Sequence, residues 1–147
     1  MFLVDTNIIS AMAPSKRDRN ERLAAWLDRA APYLFLSAIT AAEIAGGIAK
    51  AEREGATKKA ATLQDWWQAV EHLYADRLLA FDVTVAHVAG RVLDRTRAVD
   101  VGFEDIAIAA TAETHGLTVL TANERHFEPL GVAFVNPLKA LPALPES

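Results

Sequence analysis

Short apolar runs, continuous rather than alternating, set what this chain can fold into. They occupy residues 2–4 (Phe-Leu-Val), 33–36 (Tyr-Leu-Phe-Leu), 78–81 (Leu-Leu-Ala-Phe), 117–120 (Leu-Thr-Val-Leu) and 132–135 (Val-Ala-Phe-Val). A strand with one wet face alternates polar and apolar residues, so continuous runs of this length read as strands covered on both sides. Between them lie helical stripes. Leu63, Trp66, Trp67, Val70, Leu73 and Tyr74 recur at steps of three and four, as do Val85, Val88, Ala89, Val92 and Leu93. Ile106, Ala109, Ala110 and Glu113 form another, and Leu23, Trp26 and Leu27 mark a shorter helix after Pro14. Strands alternating with helices predict an α/β domain, with a central, mostly parallel five-stranded sheet flanked by helices on both faces.

At 147 residues the chain is sized for one core, which we place at residues 1–137. Three of the six prolines (Pro137, Pro142 and Pro145) fall in the last stretch, so residues 138–147 are expected to be an extended, weakly ordered tail. The opening Met1-Phe2-Leu3-Val4-Asp5 lacks the basic stretch of a signal peptide. Residues 30–49 are the one candidate for a membrane span, but they contain Pro32, Glu43 and the Gly46-Gly47 pair. An ionised residue within a span costs roughly 2.5–3.5 kcal/mol, and a buried strand leading into a helix explains the segment better. A cytoplasmic protein is expected.

Composition removes several chemistries. There is no cysteine, which excludes disulfide scaffolds, thiol nucleophiles and iron–sulfur clusters and fits a reducing compartment. The formal charge of −4 argues against a protein that coats nucleic acid through bulk positive charge. Glycine-rich nucleotide loops and a serine-hydrolase elbow are absent, and His72, His87, His115 and His126 lie in separate segments without zincin spacing. Carboxylates remain.

Ligands of an open α/β sheet bind beyond the carboxyl ends of the strands. Asp5 directly follows the first apolar run, Glu43 lies in the helix after the second, and Asn123 follows the fourth within Thr121-Ala122-Asn123. Asp105 opens a helix after the Val101-Gly102 break. Each has a purely local explanation: Asp5 and Asn123 as caps, Thr40-x-x-Glu43 as a capping box, and Asp105 as an acid favoured by the helix dipole. Convergence on one cleft is the alternative. Three like charges brought together repel unless a cation is shared among them. Oxygen ligands without imidazole or thiolate select Mg²⁺ or Mn²⁺ over Zn²⁺, an arrangement suited to phosphodiester hydrolysis.

The run Leu3-Val4-Asp5-Thr6-Asn7-Ile8-Ile9-Ser10 resembles the opening of a PIN domain. The stretch Leu36-Ser37-Ala38-Ile39-Thr40-Ala41-Ala42-Glu43-Ile44 with Gly47 resembles its second motif. The run from Asp105 to Ala112 and the stretch from His115 to Asn123 resemble the third and fourth, and Gly131-Val132-Ala133-Phe134-Val135-Asn136-Pro137 matches the ending. Motifs in this order, over nearly the whole chain, make it similar to the compact PIN-domain ribonuclease toxins of VapC/FitB type.

That resemblance implies a PIN-like fold and a Mg²⁺-dependent endoribonuclease, with Mn²⁺ able to substitute. Asp5 and Asp105 would be the principal metal ligands and Glu43 would complete the site, directly or through a water. Asn123 stands where many members carry Asp, which favours a one-metal site or a second ion recruited with RNA. Thr6, Asn7 and Thr121 would orient the carboxylates. By analogy, in-line attack leaves a 5′-phosphate and a 3′-hydroxyl, with no histidine required. A homodimer is implied, as is a cognate antitoxin that alone contacts DNA. The antitoxin would be gripped by the hairpin of residues 40–54 and 57–75, with an arginine reaching the acids. A PIN-like module that binds RNA or protein with little catalysis is the alternative, favoured by Asn123. A Mg²⁺-dependent phosphatase fits less well, because Asn7 stands where its second Asp would be.

Overall fold

The computed structural model describes residues 1–145. Its sheet has five strands, all parallel, in the order β3-β2-β1-β4-β5. They are β1 (Phe2–Val4), β2 (Leu34–Ser37), β3 (Leu78–Leu79), β4 (Thr118–Leu120) and β5 (Phe134–Val135). The helices are α1 (Thr6–Ser10), α2 (Glu21–Ala30), α3 (Ala38–Arg53), α4 (Thr57–Leu73), α5 (Val83–Arg95), α6 (Phe103–His115) and α7 (Glu124–Phe127). The first strand is central: Phe2 and Leu3 pair with Leu34 and Phe35 on one side, and Phe2 to Val4 with Thr118 to Leu120 on the other.

Successive side chains of a strand point to opposite faces, and here both faces are covered. Leu3 and Val119 enter a core with α5, α6 and Phe127, whereas Val4, Leu36 and Leu120 enter a second with Ile8, Leu23, Trp26 and Trp67. That double burial explains the continuous apolar runs. Three strands are shorter than the runs that announced them, β4 by the single residue Leu117. Pairing of β3 stops at Leu79, and the chain turns into α5, where Asp82 accepts the Val85 N–H at 3.0 Å and caps the helix. On β5 only Phe134 and Val135 pair.

Helix boundaries follow local chemistry. Asn20 caps α2 by accepting the Leu23 N–H, and Ser37 caps α3 by accepting the Ile39 N–H. Gly116 ends α6 at φ 65°, a left-handed conformation that glycine adopts without strain. The hairpin of α3 and α4 turns through Gly55 at φ 79°. Asp105 through Ala112 are all buried, so α6 is enclosed on every side and its amphipathic signal in the sequence is correspondingly weak. Leu73 and Leu93, read as part of apolar stripes, are exposed at the ends of theirs.

The segment after Pro137 is extended but held against the domain. The Trp26 indole Nε1–H donates to the Pro142 carbonyl at 2.9 Å, and Leu141 and Leu144 pack against the second core. Glu146 and Ser147 of the expected tail lie outside the described residues. Residues 30–49 resolve into a 3₁₀ turn, β2 and the first part of α3. Among the described residues, no helix is long and apolar enough to cross a membrane.

Candidate functional site

The chain lays β2 and β3 to one side of β1 and β4 and β5 to the other, so the strand order reverses beside β1. Crevices open at the carboxyl ends of strands at such a reversal. A cleft of about 280 Å³ lies there, lined by Asp5, Thr6, Asn7, Ser10, Glu43, Glu104, Asp105, Asn123 and His126. All four positions singled out at strand ends and helix starts line this one cleft. Ser10, Glu104 and His126 line it as well.

Asp5 does two jobs. Its Oδ1 accepts the Thr6 N–H at 2.8 Å, capping α1, while Oδ2 accepts the Thr121 hydroxyl at 2.8 Å and the Asn7 amide at 2.9 Å. The local reading of Asp5 therefore holds, but only for one oxygen. Asn7 is a bridge, since its Oδ1 also accepts the Ala122 N–H at 3.1 Å and so ties the exit of β1 to the exit of β4.

The local readings of Glu43 and Asn123 give way. Ser37, not Thr40, caps α3, which leaves Glu43 in the second turn, where Oε1 accepts the Thr6 hydroxyl at 2.7 Å. Thr40 is fully buried and bonds to the same Thr6 oxygen at 2.9 Å. The side chain of Asn123 caps nothing; its backbone N–H donates to Thr121 Oγ1 at 3.0 Å. Asp105 keeps its local reading, standing in the first turn of α6, but its carboxylate holds no backbone donor among the described residues. Its partner is His126, whose Nδ1 lies 3.0 Å from Oδ2. Ionised Asp105 only accepts, so against it the ring carries its hydrogen on Nδ1.

Electrostatically the cleft is one-sided. Asp5 and Asp105 are only 4% and 9% exposed, and burial pushes both carboxyls above the usual range. For Asp5 the Thr121, Thr6 and Asn7 donors work against that rise, while the Asp105 charge adds to it. For Asp105 the His126 ring opposes the rise, while Glu104 and Glu43 reinforce it. No lysine or arginine lines the cleft.

This donor set suits a hard cation. It offers carboxylate and amide oxygens, and two of the acids are buried together against their own electrostatics. Among the described residues no three His, Asp or Glu side chains form a ready-made cage. An ion that keeps several of its waters and takes one or two carboxylates needs no such cage, and Mg²⁺ binds in that way.

The model of the PIN domain matches residues 2–131. The chain belongs to the PIN-domain family. It is 37% identical to the toxin FitB of Neisseria gonorrhoeae, an alignment covering 93% of this chain and 98% of that one. Identity to the plasmid stability protein StbB of Pseudomonas syringae pv. tomato is 36%, over 95% and 100% of the two chains. The VapC ribonuclease Y4jK of Sinorhizobium fredii is 33% identical over 93% and 97%. Among solved structures, FitAcB from Neisseria gonorrhoeae superposes with a TM-score of 0.81 at 37% identity, covering 94% of this PIN domain and 99% of that chain. FitAB bound to the IR36 DNA fragment superposes at 0.77 with 34% identity, over 93% and 95%. The all-parallel five-stranded sheet is thus the PIN fold expected from the motifs.

His126 and Glu104 were not anticipated. The histidines were read as scattered along the sequence, yet His126 lies only three residues beyond Asn123 in α7, which follows β4 at the edge of the cleft. That proximity to a strand's carboxyl end was the available signal. For Glu104 it was adjacency to Asp105.

Proposed function

We propose that this PIN domain is a Mg²⁺-dependent endoribonuclease, active also with Mn²⁺, and the toxin of a toxin–antitoxin pair acting in the cytoplasm. One observation carries the reading: four carboxylates, from the exit of β1, from α3 and from the start of α6, line one cleft with no lysine or arginine to neutralise them. The names of the relatives, a toxin and a ribonuclease, supply the reaction class.

Asp5 and Asp105 would hold the metal, with Glu43 completing the site directly or through a water. Bound Mg²⁺ supplies a Lewis acid that lowers the pKa of water and neutralises charge on the phosphate in flight. The remaining work falls to the protein. Thr121, Asn7 and the Thr6 N–H hold Asp5 so that Oδ1 keeps an open acceptor position. The Thr6 hydroxyl fixes Glu43, and His126 fixes Asp105 by Oδ2, leaving Oδ1 without a side-chain partner among the described residues. The Asn123 amide, which lines the same cleft, would donate to a phosphate oxygen.

Incubation of the purified protein with single-stranded RNA tests this. Cleavage to 5′-phosphate and 3′-hydroxyl ends should stop in EDTA and return with Mg²⁺ or Mn²⁺; an undiminished rate in EDTA removes the metal from the mechanism. Loss of a group that orients a metal ligand typically costs 10–100-fold in metal affinity. His126→Ala should therefore weaken Mn²⁺ binding, read by calorimetry, about tenfold. His126→Asn, whose amide nitrogen stands near the place of Nδ1, should retain most of the affinity.

The partner side rests on a separate surface. An apolar cleft of about 420 Å³ between α1, α2 and α4, lined by Ile9, Met12, Leu27, Val70 and Leu73 among others, supports docking of an antitoxin segment beside the α3–α4 hairpin. DNA would be contacted through that antitoxin, and the toxin would pair as a homodimer. Asn123 favours a second reading, a module that binds RNA with little catalysis. Expression that leaves growth untouched, with RNA binding intact, selects it.

A further inference from the structure

A cleft of acids attracts a cation and repels a polyanion. The chain as a whole adds to the repulsion, because its net charge is −4. Affinity for RNA therefore has to come from cations placed beside the cleft rather than in it.

Such cations line a second groove, of about 400 Å³, which shares Thr6, Ser10 and Glu43 with the acid cleft and so opens directly off it. Lys16, Lys50 and Lys59 line this groove, and Glu43, at the junction, is its only acid. All three lysines are exposed, and among the described residues none is paired with a carboxylate. On α3, Glu43, Gly47 and Lys50 follow one another along one face. Lys50 thus stands about 10 Å along the axis from Glu43. Salt at 0.1 M has a Debye length of about 10 Å, which weakens the pull of Glu43 on the charge at the far end. Nothing lies within 4 Å of where a Gly47 side chain would begin, which keeps the groove open at its middle. Trp66 borders the groove half-buried, its ring 6.0 Å from that of the buried Trp67. It is a fixed indole at an open face.

Cations along an apolar groove with an accessible aromatic ring are the features that bind single strands, because an unpaired base can stack where a paired one cannot. We propose that this groove is the track along which single-stranded RNA enters the acid cleft, with Lys16, Lys50 and Lys59 meeting phosphates and Trp66 stacking a base. The proposal rests on the nuclease reading above and deepens it by naming the path of the substrate.

A salt titration of binding to a labelled single-stranded RNA, in the full-length Asp105→Asn protein so that the RNA stays intact, tests the track. Each of Lys16→Ala, Lys50→Ala and Lys59→Ala should reduce the slope of log affinity against log salt by about 0.7. Trp66→Ala should weaken binding about tenfold. Trp66→Phe should keep most of the affinity while losing the fluorescence quench that RNA produces, a readout that a purely structural role would not move. A triple lysine variant with wild-type slope and affinity overturns the track. So does a triple variant that, with Asp105 restored, cleaves RNA at wild-type KM but escapes inhibition by a protein partner, which would make the groove a protein site. If Asp105→Asn itself cleaves normally, the nuclease reading fails instead, whatever the lysines do.

Discussion

Asp105→Asn should abolish RNA cleavage and leave the fold at least as stable as before. The carboxylate is nearly buried, is pushed up by burial and by Glu104 and Glu43, and has one hydrogen-bonding partner, His126. An amide oxygen keeps that partner while removing the charge, so folding loses a penalty and little else. On the proposed mechanism, catalysis would lose an anionic ligand that the remaining acids do not replace from their own positions. Full activity in the purified, folded variant would defeat the assignment. Asp5→Asn should be equally inactive but less benign. Asp5 accepts three hydrogen bonds across both oxygens, and an amide nitrogen in either place faces a donor, the Thr6 N–H or the Asn7 amide. The lost bond, worth about 1 kcal/mol, offsets the relieved repulsion.

Linkage gives these variants a pH signature. Because the folded carboxyls of Asp5 and Asp105 lie above their ordinary values, the native state binds protons more tightly than the unfolded chain. Metal-free stability should then fall as pH rises from the ordinary carboxylate range through the raised values, and level off above them. Asp105→Asn should flatten that fall, and saturating Mg²⁺ should oppose it. Thermal melts across pH read both.

Phe127→Ala should be the most damaging single substitution away from the acids, costing about 3–5 kcal/mol and lowering the melting temperature by roughly 10 °C. Phe127 is completely buried and closes α7, the four-residue helix that carries His126 and begins just after Asn123. So short a helix has little stability of its own and is held in place by this anchor. Activity measured well below the melting transition should fall as well, since His126 loses its fixed position. A variant that melts like the wild type would show that the core collapses around the missing ring.

Much of this was legible in one sequence, for identifiable reasons. The strands announced themselves because both faces of the sheet are covered, and Asp5 and Asn123 because polar residues stand where apolar runs end. Local chemistry misled at Glu43, where Thr40-x-x-Glu43 satisfies a capping pattern that Ser37 pre-empts three residues earlier. The contact of His126 with Asp105 spans 21 residues and depends on how α7 packs, which no local pattern encodes. Nor does any local pattern bring Lys16, Lys50 and Lys59 to a shared groove, because they come from three separate segments.

The Asn7 buckle between the first and fourth strands has a consequence for readiness. Its side-chain carbonyl grips the Ala122 amide while its nitrogen grips Asp5, so the two strand tips cannot part without surrendering the Ala122 grip and the Thr121 contact with Asp5. The Asp5 carboxylate is therefore held by three donors in one pose without any ligand. Slow deuterium uptake at the Ala122 amide, with or without ligand, is how that restraint would be seen.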